Sequence, residues 1–159
     1  MPHPRGKPRS MHCSEDTYHV SEKVTRRSQT GTSIFFNRAP VMWMGKKHNL
    51  VETSNFGYEF TALKLAVELV IELRYKLRMF GVPLEGHTEM FCDNKAVFKN
   101  TSTPESMLRK KHHIIEYHKF REDVTTLICK EETKTNLVDL FTKILSCSRR
   151  EWLMNLFTY

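Results

Sequence analysis

Two hydrophobic rhythms run along the chain. From Ser54 to Phe80, Ala62, Ala66, Leu69, Leu73 and Leu77 recur at spacings of three and four, and Phe60, Leu63, Val67 and Val70 widen the stripe. This predicts a long amphipathic helix, with Thr53 or Ser54 as its N-cap and Gly81–Pro83 as its stop. Ahead of it, "TSIFFNRAPVMWM" holds two short β-rich runs, Ile34–Phe36 and Val41–Met44, separated by the turn residues "NRAP", which is a hairpin pattern. "SMHCSED" is a further strand candidate, short and poor in apolar residues. After the long helix, "TEMFCD" reads as a strand and "NKAVFKN" as a short helix. "HHIIEYHKFREDV" reads as a helix carrying Ile114, Ile115 and Phe120, "TLICKEE" as a strand, and "NLVDLFTKIL" and "REWLMNLF" as two last helices. A hairpin followed by alternating strands and helices predicts an α/β domain with a mixed sheet.

At 159 residues the chain is long enough for one domain with a real core and short for two. The expected organisation is a basic, disordered leader over 1–10 and one domain over 11–159. "MPHPRGKPRS" lacks the apolar stretch of a secretory signal, and no uncharged run is long enough to span a bilayer. An intracellular protein, cytoplasmic or nuclear and not membrane-bound, is expected. Cys13, Cys92, Cys129 and Cys147 lie far apart without paired spacing, which argues against structural zinc and for thiols in a reducing compartment. Zinc through His112, His113 and His118 fares no better, because the first two are adjacent and point apart on a helix. Lys and Arg outnumber Asp and Glu by 25 to 18, a formal charge of +7. That excess suits a polyanionic partner without proving one. It clusters at Arg26–Arg27, Lys46–Lys47, Arg109–Lys111 and Arg149–Arg150.

One stretch raises a chemical question. "MFCDN" runs apolar residues straight into Asp93 and Asn94, and a carboxylate is costly to desolvate unless it is paired or binds metal. Either Asp93 caps the helix that follows, or it belongs to a site. Asp16, Glu59 and Asp139 pose similar questions. Glu59 shares the helix face of Ala62, Ala66 and Leu69, and Asp139 stands among apolar neighbours. Taken singly, each has an ordinary reading as turn residue, helix-start acid, cap or solvent-facing acid. Together, four carboxylates repel and raise one another's pKa. Two Mg²⁺ ions would neutralise them, and two ions roughly 4 Å apart can activate water and stabilise the leaving oxygen of a phosphodiester.

From about Asp16 to Tyr159 the sequence resembles the ribonuclease H domain of copia-type retrotransposon polyproteins, which lies C-terminal to the reverse transcriptase. "EDTYHVSEKVTRRSQTG" resembles "DADHAGDKxTRRSxTG", and "MGKKHNLVETSNFGYEFTALKLA" resembles "SSKKQxxVxxSSxEAEYxAL". "FCDNKAVFKN" resembles "xCDNxAAxxL", "RKKHHIIEYHKFREDV" resembles "RTKHIDIxYHFIRE", and "ETKTNLVDLFTKIL" resembles "xTxxQxADxLTKxL". The resemblance implies a ribonuclease H-like fold, a five-stranded mixed sheet flanked by helices. It also implies metal-dependent hydrolysis of the RNA strand of RNA–DNA hybrids during reverse transcription. By the same resemblance Asp16, Glu59, Asp93 and Asp139 hold two Mg²⁺ ions, for which Mn²⁺ could substitute. His112 stands where the family has the His of its "KH" pair and could shuttle protons. Phosphate contact by "RKKHH" is an equal reading. The expected nucleic-acid contacts are Arg26, Arg27, Lys46, Lys47, Asn94, Arg109, Lys110 and Lys111, and the expected partners are the hybrid and the reverse transcriptase domain of the parent polyprotein.

Departures from the pattern gather near the first acid. Tyr18 stands in place of an Asp, and Val20 and Ser21 in place of small residues. Further on, "EAEY" is "GYEF" and "HID" is "HHI", losing an acid at Ile114. The polymerase that precedes this domain in the family is missing ahead of Met1, so a truncated or degenerate copy is expected. Two rival readings follow: a catalytically impaired nucleic-acid-binding module, or a structural remnant of the polyprotein.

Overall fold

The computed structural model describes residues 9–18, 28–47, 55–82, 84, 86–102, 126–131 and 135–158. Five strands form one mixed sheet: β1 Met11–Tyr18, β2 Gln29–Phe36, β3 Ala39–Lys47, β4 Thr88–Cys92 and β5 Thr126–Lys130. Among the described residues four helices accompany them: α1 Asn55–Met79, α2 Lys95–Ser102, α3 Asp139–Thr142 and α4 Cys147–Thr158. The spatial order is β3-β2-β1-β4-β5, with β1/β2 and β2/β3 antiparallel and β1/β4 and β4/β5 parallel. The α/β class and the five-stranded mixed sheet expected from the sequence are therefore present. Residues 1–8 of the expected leader, Thr53 and Ser54, Pro83, and the helix expected at 112–124 lie outside the described residues.

The expected hairpin is longer than its apolar runs suggested. Its turn places Asn37 at φ 57, a conformation Asn tolerates better than most residues. Helix α1 lays Phe60, Leu63, Ala66, Val67 and Val70 on one face of the sheet, against Met11 and Cys13 of β1, Ile34 of β2, and Met90 and Cys92 of β4. It stops at Gly81, whose φ of 72 is the left-handed closing residue of a helix C-terminus. No helix among the described residues is long and apolar enough to cross a membrane.

The strand that looked thinnest in the sequence is the middle of the sheet. β1 pairs with β2 over all eight of its residues and with β4 on its other side. Four consecutive residues of it, Ser14, Glu15, Asp16 and Thr17, are polar and buried. Counting apolar residues fails for a strand whose polar half is buried.

The expected ten-residue helix at "NLVDLFTKIL" is shortened to a single turn. α3 covers Asp139–Thr142, and Lys143 leaves it in extended backbone. The Gln29 side-chain amide donates to Phe141 O at 2.6 Å, so this carbonyl is satisfied across the fold rather than by a further helical turn. α4 then returns over the sheet face opposite α1, where Phe157 meets Phe35, Trp43 and Phe141 edge-on.

Candidate metal centre

The parallel pairing of β1 and β4 brings their C-terminal ends side by side. Glu15 pairs with Cys92, so the next residues along, Asp16 and Asp93, emerge as neighbours. Asn94 resolves the question of the cap. Its Oδ1 accepts the amides of Ala96 at 2.9 Å and Val97 at 3.2 Å, so Asn94 starts α2 and Asp93 is left for other work. Glu59, one turn into α1, faces the same corner and is buried, as its helix face predicted. One ligand oxygen each from Asp16, Glu59 and Asp93 lie within 4.8 Å of one another.

Asp139 arrives from the other face of the sheet. Helix α3 rests on Gly31, which pairs with Asp16 across β1 and β2. A Cβ at Gly31 would stand 2.5 Å from Val138 Cγ1 and 2.7 Å from Thr142 Cγ2, so a bare backbone is what lets α3 approach. At that distance Thr142 Oγ1 donates to Asp16 Oδ2 at 2.7 Å. The Lys143 ammonium contacts Asp139 Oδ1 at 2.6 Å and Asp16 Oδ2 at 3.2 Å. Asp139 is thus tied to Asp16 through Lys143 and does not belong to the 4.8 Å trio.

Burial, first, and then the charges of Asp16 and Asp93 push Glu59 up to about 9. Burial also raises Asp93, helped by Asp16 and opposed by Lys143. Asp139 is raised by burial and held back by its hydrogen bond from Lys143. Burial works against the charge of Lys143, but its bonds to Asp139 and the charge of Asp16 outweigh this and raise it. Glu59 Oε2 is buried and has no hydrogen-bond partner among the described residues. An orphaned carboxylate oxygen facing two more carboxylates is a poor hydrogen-bond network and a suitable all-oxygen donor set for a hard divalent cation. The residues therefore fit the metal the sequence implied.

Residue reasoning passed over several neighbours. Glu15 is fully buried, raised well above the usual carboxylate range by burial and by Glu59, and has the Cys92 thiol, a weak donor, beside it. Glu131, at the end of β5, is pushed up to about 7 by burial and Asp93. Thr142 and Lys143 lie in the quoted "DLFTK", three and four residues beyond Asp139, a spacing that puts them on its side of a helix. Of the expected nucleic-acid contacts, Lys46 and Lys47 are exposed at the end of β3, and the Asn94 side chain is engaged as the α2 cap. Arg26, Arg27, Arg109, Lys110, Lys111 and His112 lie outside the described residues. The four cysteines are free thiols, Cys13 and Cys92 buried and Cys147 exposed.

No family model matches the chain. It is 25% identical over 145 residues to the Retrovirus-related Pol polyprotein from transposon RE1 of Arabidopsis thaliana, covering 89% of this chain and 10% of that protein. The corresponding polyprotein from transposon RE2 is 23% identical over 145 residues, with the same coverage. The chain spans about a tenth of the length of these curated relatives. Among solved structures it is similar to the compost-derived LC11-RNase H1 in complex with an RNA/DNA hybrid, at TM-score 0.61 and 15% identity over 84% of this chain and 94% of that one. RNase H1 from Halobacterium salinarum gives TM-score 0.57 at 16% identity, covering 84% and 94%. The N-terminal RNase H domain of a Mycobacterium tuberculosis protein gives 0.56 at 9%, covering 92% and 98%. At such identities the structural likeness speaks for the fold. The chain thus combines an RNase H-like fold with weak homology, over most of its length, to retrovirus-related Pol polyproteins.

Proposed function

We propose that this chain is a ribonuclease H, a metal-dependent endonuclease that hydrolyses the RNA strand of RNA–DNA hybrids in retrotransposon reverse transcription. The observation that carries the proposal is the convergence of Asp16, Glu59 and Asp93 within 4.8 Å, with Glu59 Oε2 buried and unpartnered. Three elements that are distant in sequence deliver carboxylates to one corner of an RNase H-like fold, at a cost in repulsion and desolvation that calls for a cation. Asp16, Glu59, Asp93 and Asp139 are the proposed ligands and Mg²⁺ the proposed metal, with Mn²⁺ a possible substitute. Bound there, divalent ions supply the charge that activates water and stabilises the leaving oxygen of a phosphodiester.

The chain's own residues do the rest. Thr142 fixes the rotamer of Asp16 through its 2.7 Å hydrogen bond. Asn94 anchors the start of α2 and so holds Asp93 at the strand end. Lys46 and Lys47, with the basic clusters at Arg26–Arg27 and Arg109–Lys111, are proposed to bind backbone phosphates, and His112 to move a proton. A hybrid suits such a site because its wide, shallow minor groove displays 2′-hydroxyls on one strand. The similar LC11-RNase H1 structure is a complex with an RNA/DNA hybrid, and this supports the same substrate class here.

The test is Mg²⁺-dependent cleavage of a labelled RNA–DNA hybrid by the native protein and by Asp93→Asn. Loss of an outer-shell partner costs about 10–100-fold in metalloenzymes, so loss of a direct ligand is expected to exceed roughly a hundredfold. Equal cleavage by the two proteins overturns the proposal. Salt-sensitive hybrid binding without cleavage identifies a binding module instead, and neither activity identifies a structural domain of the polyprotein.

A further inference from the structure

We infer that Lys143 is a displaceable internal cation, which holds the space between Asp16 and Asp139 until a second divalent ion takes it. The inference rests on the proposed function, because it concerns how the same acids fill with metal. The trio Asp16, Glu59 and Asp93 closes without Asp139. What connects Asp139 to this trio is the Lys143 ammonium, 2.6 Å from Asp139 Oδ1 and 3.2 Å from Asp16 Oδ2. An Mg²⁺ shared by these two carboxylates would need oxygen contacts near 2.0–2.1 Å, in the space the ammonium fills. The two cations exclude each other.

Lys143 is also built to leave. It sits at the C-cap of α3 in extended backbone, and the next residue, Ile144, is 99% exposed. The side chain can swing while the backbone N–H keeps its bond to Asp139 O at 3.0 Å. The side chain is 24% exposed, so its head has a way to water, whereas the Asp16 side chain is 2% exposed and cannot follow. Asp16 would keep the Thr142 hydroxyl on Oδ2 after the lysine departs. In the metal-free chain the ammonium offsets repulsion among acids, since its charge reaches Glu59 and Asp93 as well. The two metal-binding steps should consequently be unequal: one ion enters an open trio, while the next must evict a cation.

Mn²⁺ binding to the full chain, followed by the electron paramagnetic resonance of free ion, reads this directly. The native protein is expected to bind one ion at least tenfold more tightly than a second, and Lys143→Met to tighten the second step about tenfold or more while moving the first much less. Mass-spectrometric acylation of native protein supplies a measurement that needs no variant. Lys143 should be protected without metal and labelled several-fold faster at saturating Mn²⁺, with exposed Lys76 unchanged. Identical second-step affinities in native and K143M protein overturn the inference. If K143M does not fold, metal-independent labelling of Lys143 overturns it. If neither folded protein binds Mn²⁺, the proposed function falls and takes the inference with it; a single tight ion with an unaltered second step removes the inference alone.

Discussion

Replacing Gly31 by alanine adds one methyl group at the point where α3 meets the sheet. That methyl would lie 2.5 Å from Val138 Cγ1, 2.7 Å from Thr142 Cγ2 and 3.2 Å from Phe141 Cβ. Ordinary carbon contacts begin near 3.5 Å, so α3 must withdraw by roughly 1 Å. Neither Val138 nor Thr142 can turn aside cheaply, being β-branched and buried. Inserting a methylene-sized group into a packed site costs about 1–3 kcal/mol, and for a domain of this size each kcal/mol moves Tm by roughly 2–4 °C. The same retreat would stretch the 2.7 Å Thr142–Asp16 hydrogen bond beyond bonding range. G31A is therefore expected to lower Tm by several degrees and to depress hybrid cleavage beyond what the lost stability explains. Adding Thr142→Ser removes Cγ2 while keeping Oγ1, so the double variant should recover part of both losses. Gly86→Ala, at φ 72 in open space, provides a strained but distant control. Melting and cleavage by G31A indistinguishable from native protein would refute the close-approach account.

Glu59, raised to about 9 from 4.5, keeps its proton in the folded metal-free chain at pH values where the unfolded chain has lost it. Its contribution to stability is thus complete below pH 4.5 and is lost as pH rises toward 9. Metal-free native protein should lose thermal stability over that window, and Glu59→Gln should flatten the slope in a melting series. Because the metal needs the carboxylate, Mg²⁺ affinity should rise with pH over the same window and each binding event should release protons into a weak buffer. Asn94→Ala removes the cap of α2 and is expected to cost about 1 kcal/mol in denaturant melts, with cleavage reduced but retained because Asp93 stays. Glu15→Met replaces a buried acid whose two carboxyl oxygens have no hydrogen-bond partner among the described residues and which stands beside other acids, and should raise the Tm of the metal-free protein.

The long helix, the hairpin and β4 could be read from the sequence because their buried faces are apolar: Leu63, Ala66 and Val70 on α1, Ile34 on β2, Met90 on β4. Three of the four acids announced themselves as acids in apolar surroundings. β1 shows in the sequence only as a short, poorly apolar strand candidate, since the residues that make it central, Ser14 through Thr17, are polar and buried. α3 was overextended because "NLVDLFTKIL" has a helical pattern, while the bond from Gln29, 112 residues away in sequence, ends it. No local pattern can report a partner at that distance. Lys143 was visible as a basic residue, but its meaning depends on Asp16, brought to it by the packing of α3 on Gly31.

The sheet face on which each acid is delivered shows why the corner tolerates so much charge. Alternation along β1 sends Glu15 toward α1 and Asp16 toward α3, so two adjacent carboxyl groups enter different surroundings. Glu15, on the α1 side with Cys13 and Glu59, is favoured as a neutral acid. Asp16, on the α3 side, has a hydroxyl and an ammonium at hand. The molecule thus keeps one member of the pair uncharged and compensates the other, which lowers the repulsion that Glu59 and Asp93 would otherwise meet. Under the proposed function, Glu59 would give up its proton when a divalent ion is bound, and the charge of Lys143 beside Asp16 would become redundant. If the proposed metal binding holds, such a corner would exchange protons and a lysine for metal without rearranging the sheet, because Glu59, Asp16, Asp93 and Lys143 act through side chains on a strand end, a first turn or a helix cap.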